Sequence, residues 1–447
     1  MPNQITTYWK LHKVPLLLAF FSLGLYYTFA YHLDRTDFLK LLTLFAATFF
    51  ICFKLIQFEK WNFKFLLITG IFFRLIFLYS EPNLSQDFFR FIWDGELVGH
   101  LMNPYIAVPD ALIEQSDLII SNAKELHQGM GDLSARHYSN YPPLNQFMFA
   151  IASLLGLKSI LGSVIVMRVL IIGADIGIVY FGRKLLKNIN RSPHLIFWYF
   201  LNPLVLIELT GNLHFEGVML FFFVWALYLL SVHKWQWAAV VYACSISIKL
   251  VPLLFLPLFL KHFKFKKALI FYGIVGATSL LLLAPFYSSE FISNYSKTIG
   301  LWFSNFEFNA GLWNGIRHIG IQFDAKPWEL IKTYGKITPI ITIIAVLLLT
   351  FLRKNQKLPV LISSMLCVLT LYYFMSATVH PWYIIFLLVL ALFTEYRFPI
   401  VWSAVIILSY YAYSLSDFKE NSWLLAIEYI SVYTFLIYEI VMHRNKT

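Results

Sequence analysis

Leu84-Ser-Gln-Asp-Phe-Phe-Arg-Phe-Ile-Trp-Asp-Gly-Glu-Leu-Val-Gly-His-Leu-Met-Asn-Pro-Tyr-Ile-Ala-Val-Pro109 is the stretch on which the reading of this chain turns. It follows an apolar run and opens the longest polar interval between apolar spans, residues 80–142. A helix over Leu84–Leu97 places Asp87, Arg90 and Asp94 on one stripe, three and then four residues apart. Gly99 and Asn103-Pro104 are expected to turn the chain, and Tyr141-Pro142-Pro143 to return it toward the next apolar segment. On a soluble helix such a triplet reads as a weak, solvated salt bridge. Here it sits beside apolar spans, and other polar groups fall on the same side of them.

The spans follow from composition. The chain is 59% hydrophobic and only 13% charged, against about a quarter charged for a soluble domain. Its mean hydropathy is +0.68. Those values indicate a polytopic membrane protein, and the many aromatic residues suit interfacial belts as well as packed helices. Apolar runs long enough to cross a bilayer occur at 14–33, 38–57, 160–182, 268–286, 359–378 and 423–442. Shorter ones lie at 65–79, 194–210, 217–232, 337–352, 382–394 and 398–415. Residues 236–260 are interrupted at Ser-Ile-Lys249-Leu-Val-Pro252 and read as two short helices meeting at a polar break. The expected fold is therefore an all-α polytopic transmembrane bundle of about 12–14 spans, one membrane domain over residues 1–447. Two large loops, 80–142 and 287–336, emerge from it. Residues 143–157 are apolar but short, and are read as a re-entrant or interfacial helix.

Charge placement predicts orientation. With both termini in the cytoplasm and spans alternating, the short inner segments hold 19 of the 35 Lys and Arg residues. The two large outer loops hold 8. The net charge of +11 is thus distributed as membrane orientation requires, and no basic patch interleaved with aromatics marks a nucleic-acid interface. Lys10 and Lys13 precede an apolar run without a clear small-residue cleavage site, which reads as an uncleaved first helix. Cys52, Cys244 and Cys367 lie in apolar runs, with neither metal-ligand spacing nor a disulfide framework.

In this topology the unusual polar residues gather on the outer face. Asp87, Arg90 and Asp94 lie in the first loop, and Asn212, His214 and Glu216 in a tight turn between spans. Lys249 marks the polar break, Asn305, Glu307 and Asn309 lie in the second loop, and His380 precedes Pro381 at the end of another span. Ionisable groups beside apolar spans are costly, so several on one side suggest a site. Each has a plainer reading as well: a hydrated turn for His214 and Glu216, a snorkelling side chain for Lys249, a helix start for His380. A divalent cation held by Asp87, His214 and Glu216 is chemically reasonable, though no spacing specifies it. A site of this kind suits group transfer. An aspartate can take the proton of an acceptor hydroxyl, and Lys or Arg can balance charge on a phosphate leaving group. A lipid-linked substrate explains why the base sits at a membrane face. No Gly-rich phosphate loop or dinucleotide-binding pattern occurs.

Ser85-Gln-Asp-Phe-Phe-Arg-Phe-Ile-Trp-Asp-Gly95, with Asn103-Pro-Tyr105 and Pro109, resembles the first-loop signature of GT-C glycosyltransferases. It is most similar to bacterial polyprenyl-phosphate-mannose-dependent mannosyltransferases and their relatives in glycosylphosphatidylinositol anchor synthesis. Tyr141-Pro-Pro-Leu144, Asn202-Pro203, His214-Phe-Glu-Gly217, Lys249 with Pro252 and Pro257, and His380-Pro-Trp-Tyr383 recur in matching order. The resemblance implies a membrane enzyme that moves a hexose, mannose by analogy, from a polyprenyl-phosphate donor. The acceptor would be a hydroxyl of a glycan, glycolipid or glycoprotein on the extracytoplasmic face. It implies inversion, with Asp87 as base, Arg90 and Asp94 shaping the site and Lys249 contacting the donor phosphate. Asn103, Tyr105, His214, Glu216, Asn309 and His380 are the further substrate-binding candidates. The chain departs from the pattern in two places: Gln86 stands where many members pair a second acid with Asp87, and Glu216 where they carry Asp. Two rivals are a transporter or flippase for a lipid-linked saccharide, and a glycan polymerase or ligase with a lipid-diphosphate donor.

Overall fold

The computed structural model describes residues 4–304, 306–415 and 417–444. Asn305 and the two chain ends, which charge counting placed in the cytoplasm, lie outside the described residues. The architecture is all-α, and an isolated bridge between Phe308 and Thr378 is the one extended pairing among the described residues. Among the described residues seven helices are long and apolar enough to cross a membrane, from Thr7–His32 to Ser422–His443, and a bent pair, Pro193–Phe200 with Pro203–Gly211, would make an eighth span. The protein is an integral membrane protein. Side-chain caps start several of these helices where the apolar runs begin: Asp37 accepts from Lys40 N, and Ser159 from Gly162 N.

Long and short helices divide the work. Helices such as Phe265–Leu283 and Pro327–Leu352 expose large apolar side chains along much of their length, as lipid-facing elements must. Ile384–Leu392 is too short to span, at about 14 Å, yet all nine of its residues are buried. It is a core helix, extended at its start by a 3-10 turn, Pro381–Tyr383. Trp235–Ile248 likewise stops at Lys249, whose extended backbone leads into the 3-10 segment Val251–Leu258, the break anticipated from the sequence. A second break was not anticipated. The run read as one span at 194–210 is bent by 52° between Pro193–Phe200 and Pro203–Gly211, and its second half is π-helical from Leu206. Pro203 explains the bend, because it cannot donate to the preceding turn.

Other boundaries also move. The first-loop helix begins at Asp87, three residues later than expected, and ends at Gly99, two residues later. The turn that follows uses a left-handed Leu101 rather than a glycine. The second polar interval contains two helices, Ser289–Ser304 and Gly311–Gln322, and its last residues belong to Pro327–Leu352. Helix Pro143–Leu155, about 20 Å long, packs its Phe149 against Phe91 of the Asp87–Gly99 helix, ring on ring at 4.5 Å. Gly95 allows that approach: a Cβ there would overlap the Phe149 carbonyl and the Ser153 hydroxyl. Gly95→Ala is expected to destabilise the protein by about 1–3 kcal/mol through this overpacking. The check is its thermal unfolding in detergent against wild type.

The two ends of the bundle differ. Along helix Ile160–Asn188, Arg168 bonds the carbonyls of Leu78, Ser80, Thr210 and Gly211, close to Asp87 and His214 in sequence. Arg183, about 22 Å further along the helix axis, lies over the Phe63 ring. At that second end His12 bonds Glu59. The segments that lead to Asp87 and His214 therefore sit at the end opposite Arg183.

Candidate active site

Two helix starts and one helix break build the site. Asp87 and Glu216 are the first residues of helices Asp87–Gly99 and Glu216–Ser231, where the helix dipole favours a carboxylate. Lys249 caps helix Trp235–Ile248, and its Nζ pairs with Glu216 Oε1 at 3.0 Å. The same ammonium stands 5.5 Å from the centre of the Tyr141 ring. The loops carrying these groups are stitched together: Leu84 N donates to Asn212 Oδ1, and Arg168 holds both approach segments. Asp87 itself is half-buried, and its carboxylate has no ion pair or side-chain hydrogen bond among the described residues. Burial pushes its carboxyl above the usual carboxylate range; Lys249 opposes that shift, Glu216 adds to it, and Arg35 opposes it.

A stack of rings forms one wall. His214 lies under Trp382 at 3.7 Å, Trp382 under His380 at 4.4 Å, and His380 against Phe308 at 5.1 Å. Left-handed Leu213 turns the chain into this stack, and the Phe308–Thr378 bridge brings in the second polar interval. Burial first, then the charge of Lys249, holds both histidines neutral; His380 is pushed down to about 3. His214 Nε2 stands 3.5 Å from Glu208 Oε2 without hydrogen-bond geometry. Since His214 resists protonation in the folded state, unfolding takes up a proton below about pH 6.5. Stability should therefore fall as pH drops from about 6.5 toward 5. A His214→Gln variant should lose part of that slope in a thermal scan across this range.

The remaining candidates are brought to supporting positions. Arg90 and Asp94 are both buried and paired at 2.7 Å. Arg90 also donates to the Ser134 and His137 carbonyls, while Ser139 and Gln146 donate to Asp94. Asn103 donates to Phe286 O, and Tyr105 to Tyr141 O at 2.5 Å. Asn294 reaches Tyr105 O, so this contact joins the two polar intervals. Asn309, left-handed and buried, donates to Glu428 Oε1 and to Glu420. These side chains are engaged within the protein itself, except that Asn309 Oδ1 is buried without a partner among the described residues. The structure brings together Asp87, His214, Glu216, Lys249 and His380, and sets Arg90, Asp94, Asn103, Tyr105 and Asn309 behind them. Nor are Asp87, His214 and Glu216 gathered as a metal set; among the described residues no three His, Cys, Asp or Glu side chains group in that way.

With that geometry, similarity becomes informative. A family model described as "Alpha-(1->6)-mannopyranosyltransferase, N-terminal domain" matches residues 38–263, half of the chain. The chain belongs to this family. It is thus a hexosyltransferase of the GT-C mannosyltransferase type, as the first-loop resemblance implied. The match includes Asp87, His214, Glu216 and Lys249, whereas Asn309 and His380 lie beyond it. No curated protein sequence gives a significant match.

Several residues of this mannosyltransferase that organise the site escaped sequence reading. Arg74 and Asp175 form a fully buried pair at 2.7 Å, completed by the Tyr199 hydroxyl on Asp175. Glu208 accepts from Tyr410 and Asn212 directly beneath the His214 turn. Arg35, between the first two helices, lies over the Tyr413 ring at 3.5 Å. For Arg74, Arg168, Asp175 and Glu208 the signal was present: a charge inside an apolar run demands a partner. The partners lie far away in sequence, so spacing could not name them.

Proposed function

We propose that this enzyme moves mannose from a polyprenyl-phosphate donor to an acceptor hydroxyl at the extracytoplasmic face, with inversion at the anomeric carbon. The observation that carries this reading is Asp87: a carboxylate without an ion pair or side-chain hydrogen bond among the described residues, half-open, at the start of a buried helix and in the field of two cations. A carboxyl held above its usual range is a better base than an ordinary surface aspartate. Asp87 accepts the hydroxyl proton as the acceptor oxygen bonds the anomeric carbon. The bond from that carbon to the phosphate oxygen breaks, its electron pair leaves with the lipid phosphate, and Lys249 and Arg35 lie where they can offset the added charge. Arg90, Asp94, Asn103, Tyr105 and Asn309 act by holding the loops that carry Asp87 and His380. The excess of basic residues in the short loops, with Arg183 at the end opposite Asp87, supports the extracytoplasmic placement.

The test uses purified enzyme in nanodiscs with radiolabelled polyprenyl-phosphate mannose and a cell-envelope lipid extract. Label is expected to appear in an acceptor with inverted configuration. Transfer from a polyprenyl-diphosphate saccharide instead would establish the polymerase or ligase reading, and retained configuration would remove the single-displacement route.

A further inference from the structure

We infer that Arg35 binds the phosphate of the lipid donor, as the cation left open at the site while Lys249 is held by Glu216. The inference rests on the reading above and deepens it. Arg35 lies before the residues that match the family, so no similarity assigns it a role.

Four observations place it. The link between helices Gln4–His32 and Phe38–Phe58 carries Arg35 to the site end of the bundle. There its guanidinium covers the Tyr413 ring at 3.5 Å, and Tyr413 touches Phe308 at 5.7 Å, the outer ring of the histidine stack. The Tyr413 ring under Arg35 is thereby two ring contacts from His380 and its stack with Trp382. Its Nε is buried without a hydrogen-bond partner, and among the described residues no carboxylate stands at ion-pairing distance from it. Its charge nevertheless acts on Asp87, Glu208, His380 and Tyr413, which come from four separate segments.

The two cations are therefore not equivalent. Lys249 is already neutralised by Glu216 at 3.0 Å, so an incoming anion must compete for it. Arg35 has no such competitor among the described residues. A guanidinium stacked on a ring keeps its N–H donors in the ring-parallel plane, a fork suited to two oxygens of one phosphate. A phosphodiester donor carries one negative charge and the departing lipid phosphate up to two, so this contact strengthens as the bond to sugar breaks.

The experiment measures binding of radiolabelled polyprenyl phosphate to the full-length protein in nanodiscs, for wild type, Arg35→Lys and Arg35→Gln. Thermal scans accompany it to show that each variant is folded. Arg35→Gln should weaken binding about 10- to 100-fold, the loss of a charge-assisted contact. Arg35→Lys should lie between, since it keeps the charge and loses the fork. The donor KM in the transfer assay should rise in the same order. Equal binding by folded Arg35→Gln and wild type would overturn the assignment. Competition by inorganic phosphate as effective as by polyprenyl phosphate would mark a free-phosphate site and overturn it too. Wild type that transfers mannose with a donor KM unchanged by Arg35→Gln removes Arg35 alone. Wild type that neither binds polyprenyl phosphate nor transfers removes the parent reading and this one together.

Discussion

Asp87→Asn should lower mannosyl transfer by about 10²- to 10⁴-fold, the usual worth of a positioned general base, and should leave the protein folded. The second half of that expectation comes from the structure. The Asp87 carboxylate makes no ion pair and no side-chain hydrogen bond among the described residues, and only its backbone N–H is engaged, by Ser85 Oγ at 3.3 Å. Asparagine matches its shape, and at the first helical residue it forgoes only the preference of the helix dipole for a carboxylate. Burial disfavours the charged form, so a neutral amide at neutral pH should leave thermal stability unchanged or slightly raised. The wild-type rate should also fall on acidification along a limb lying above the ordinary carboxylate range, because the proton on Asp87 is held more tightly than in water. Removing a like charge with Glu216→Gln should move that limb to lower pH, and it also releases Lys249 to act in the same direction. Transfer by folded Asp87→Asn at the wild-type rate would remove Asp87 as the base.

The second large effect is on stability. Arg90→Leu should destabilise the protein by about 3–5 kcal/mol, the consequence of leaving a buried charge without its partner. Asp94 is fully buried and faces Arg90 at 2.7 Å; Ser139 and Gln146 would remain as donors, but neither carries charge. Arg90 also fastens the Ser134 and His137 carbonyls, so its loss frees the return limb of the first polar interval. Thermal unfolding in detergent and limited proteolysis between residues 100 and 142 would report this. A second change that removes the stranded charge, Asp94→Leu on the Arg90→Leu background, should recover part of the loss. An unfolding temperature for Arg90→Leu equal to wild type would show that the pair is not the strut described here.

The stripe Asp87, Arg90, Asp94 shows how far spacing alone reaches. The four-residue step predicted a contact, and Arg90 and Asp94 make it. The three-residue step suggested that Asp87 joins them. It does not, because the helix begins at Asp87 and its side chain faces Lys249, Glu216 and Arg35 instead. Asn103 and Tyr105 are site candidates by their place in a motif, and Asn309 by its place in the second large loop. In three dimensions each spends its side chain on a distant segment. Asn309 meets Glu428 across 119 residues, a partner no local pattern discloses.

What the amino-acid order determined by itself was the solvent of each segment. Long apolar runs must be helices that satisfy their own backbone, and polar intervals between them must leave the hydrocarbon. From that follow the all-α class, the break at Lys249 and the polar intervals that carry the candidates. Which polar residues meet was decided only by tertiary packing. The buried helix Ile384–Leu392, the bend at Pro203 and the carbonyls gathered by Arg168 set the distances between loops. Arg35 lies 52 residues from Asp87, and nothing in the chain between them requires the two to share a site. Charge pairing across such separations depends on how whole helices pack, and helix packing is a property of complete surfaces rather than of any stretch of sequence.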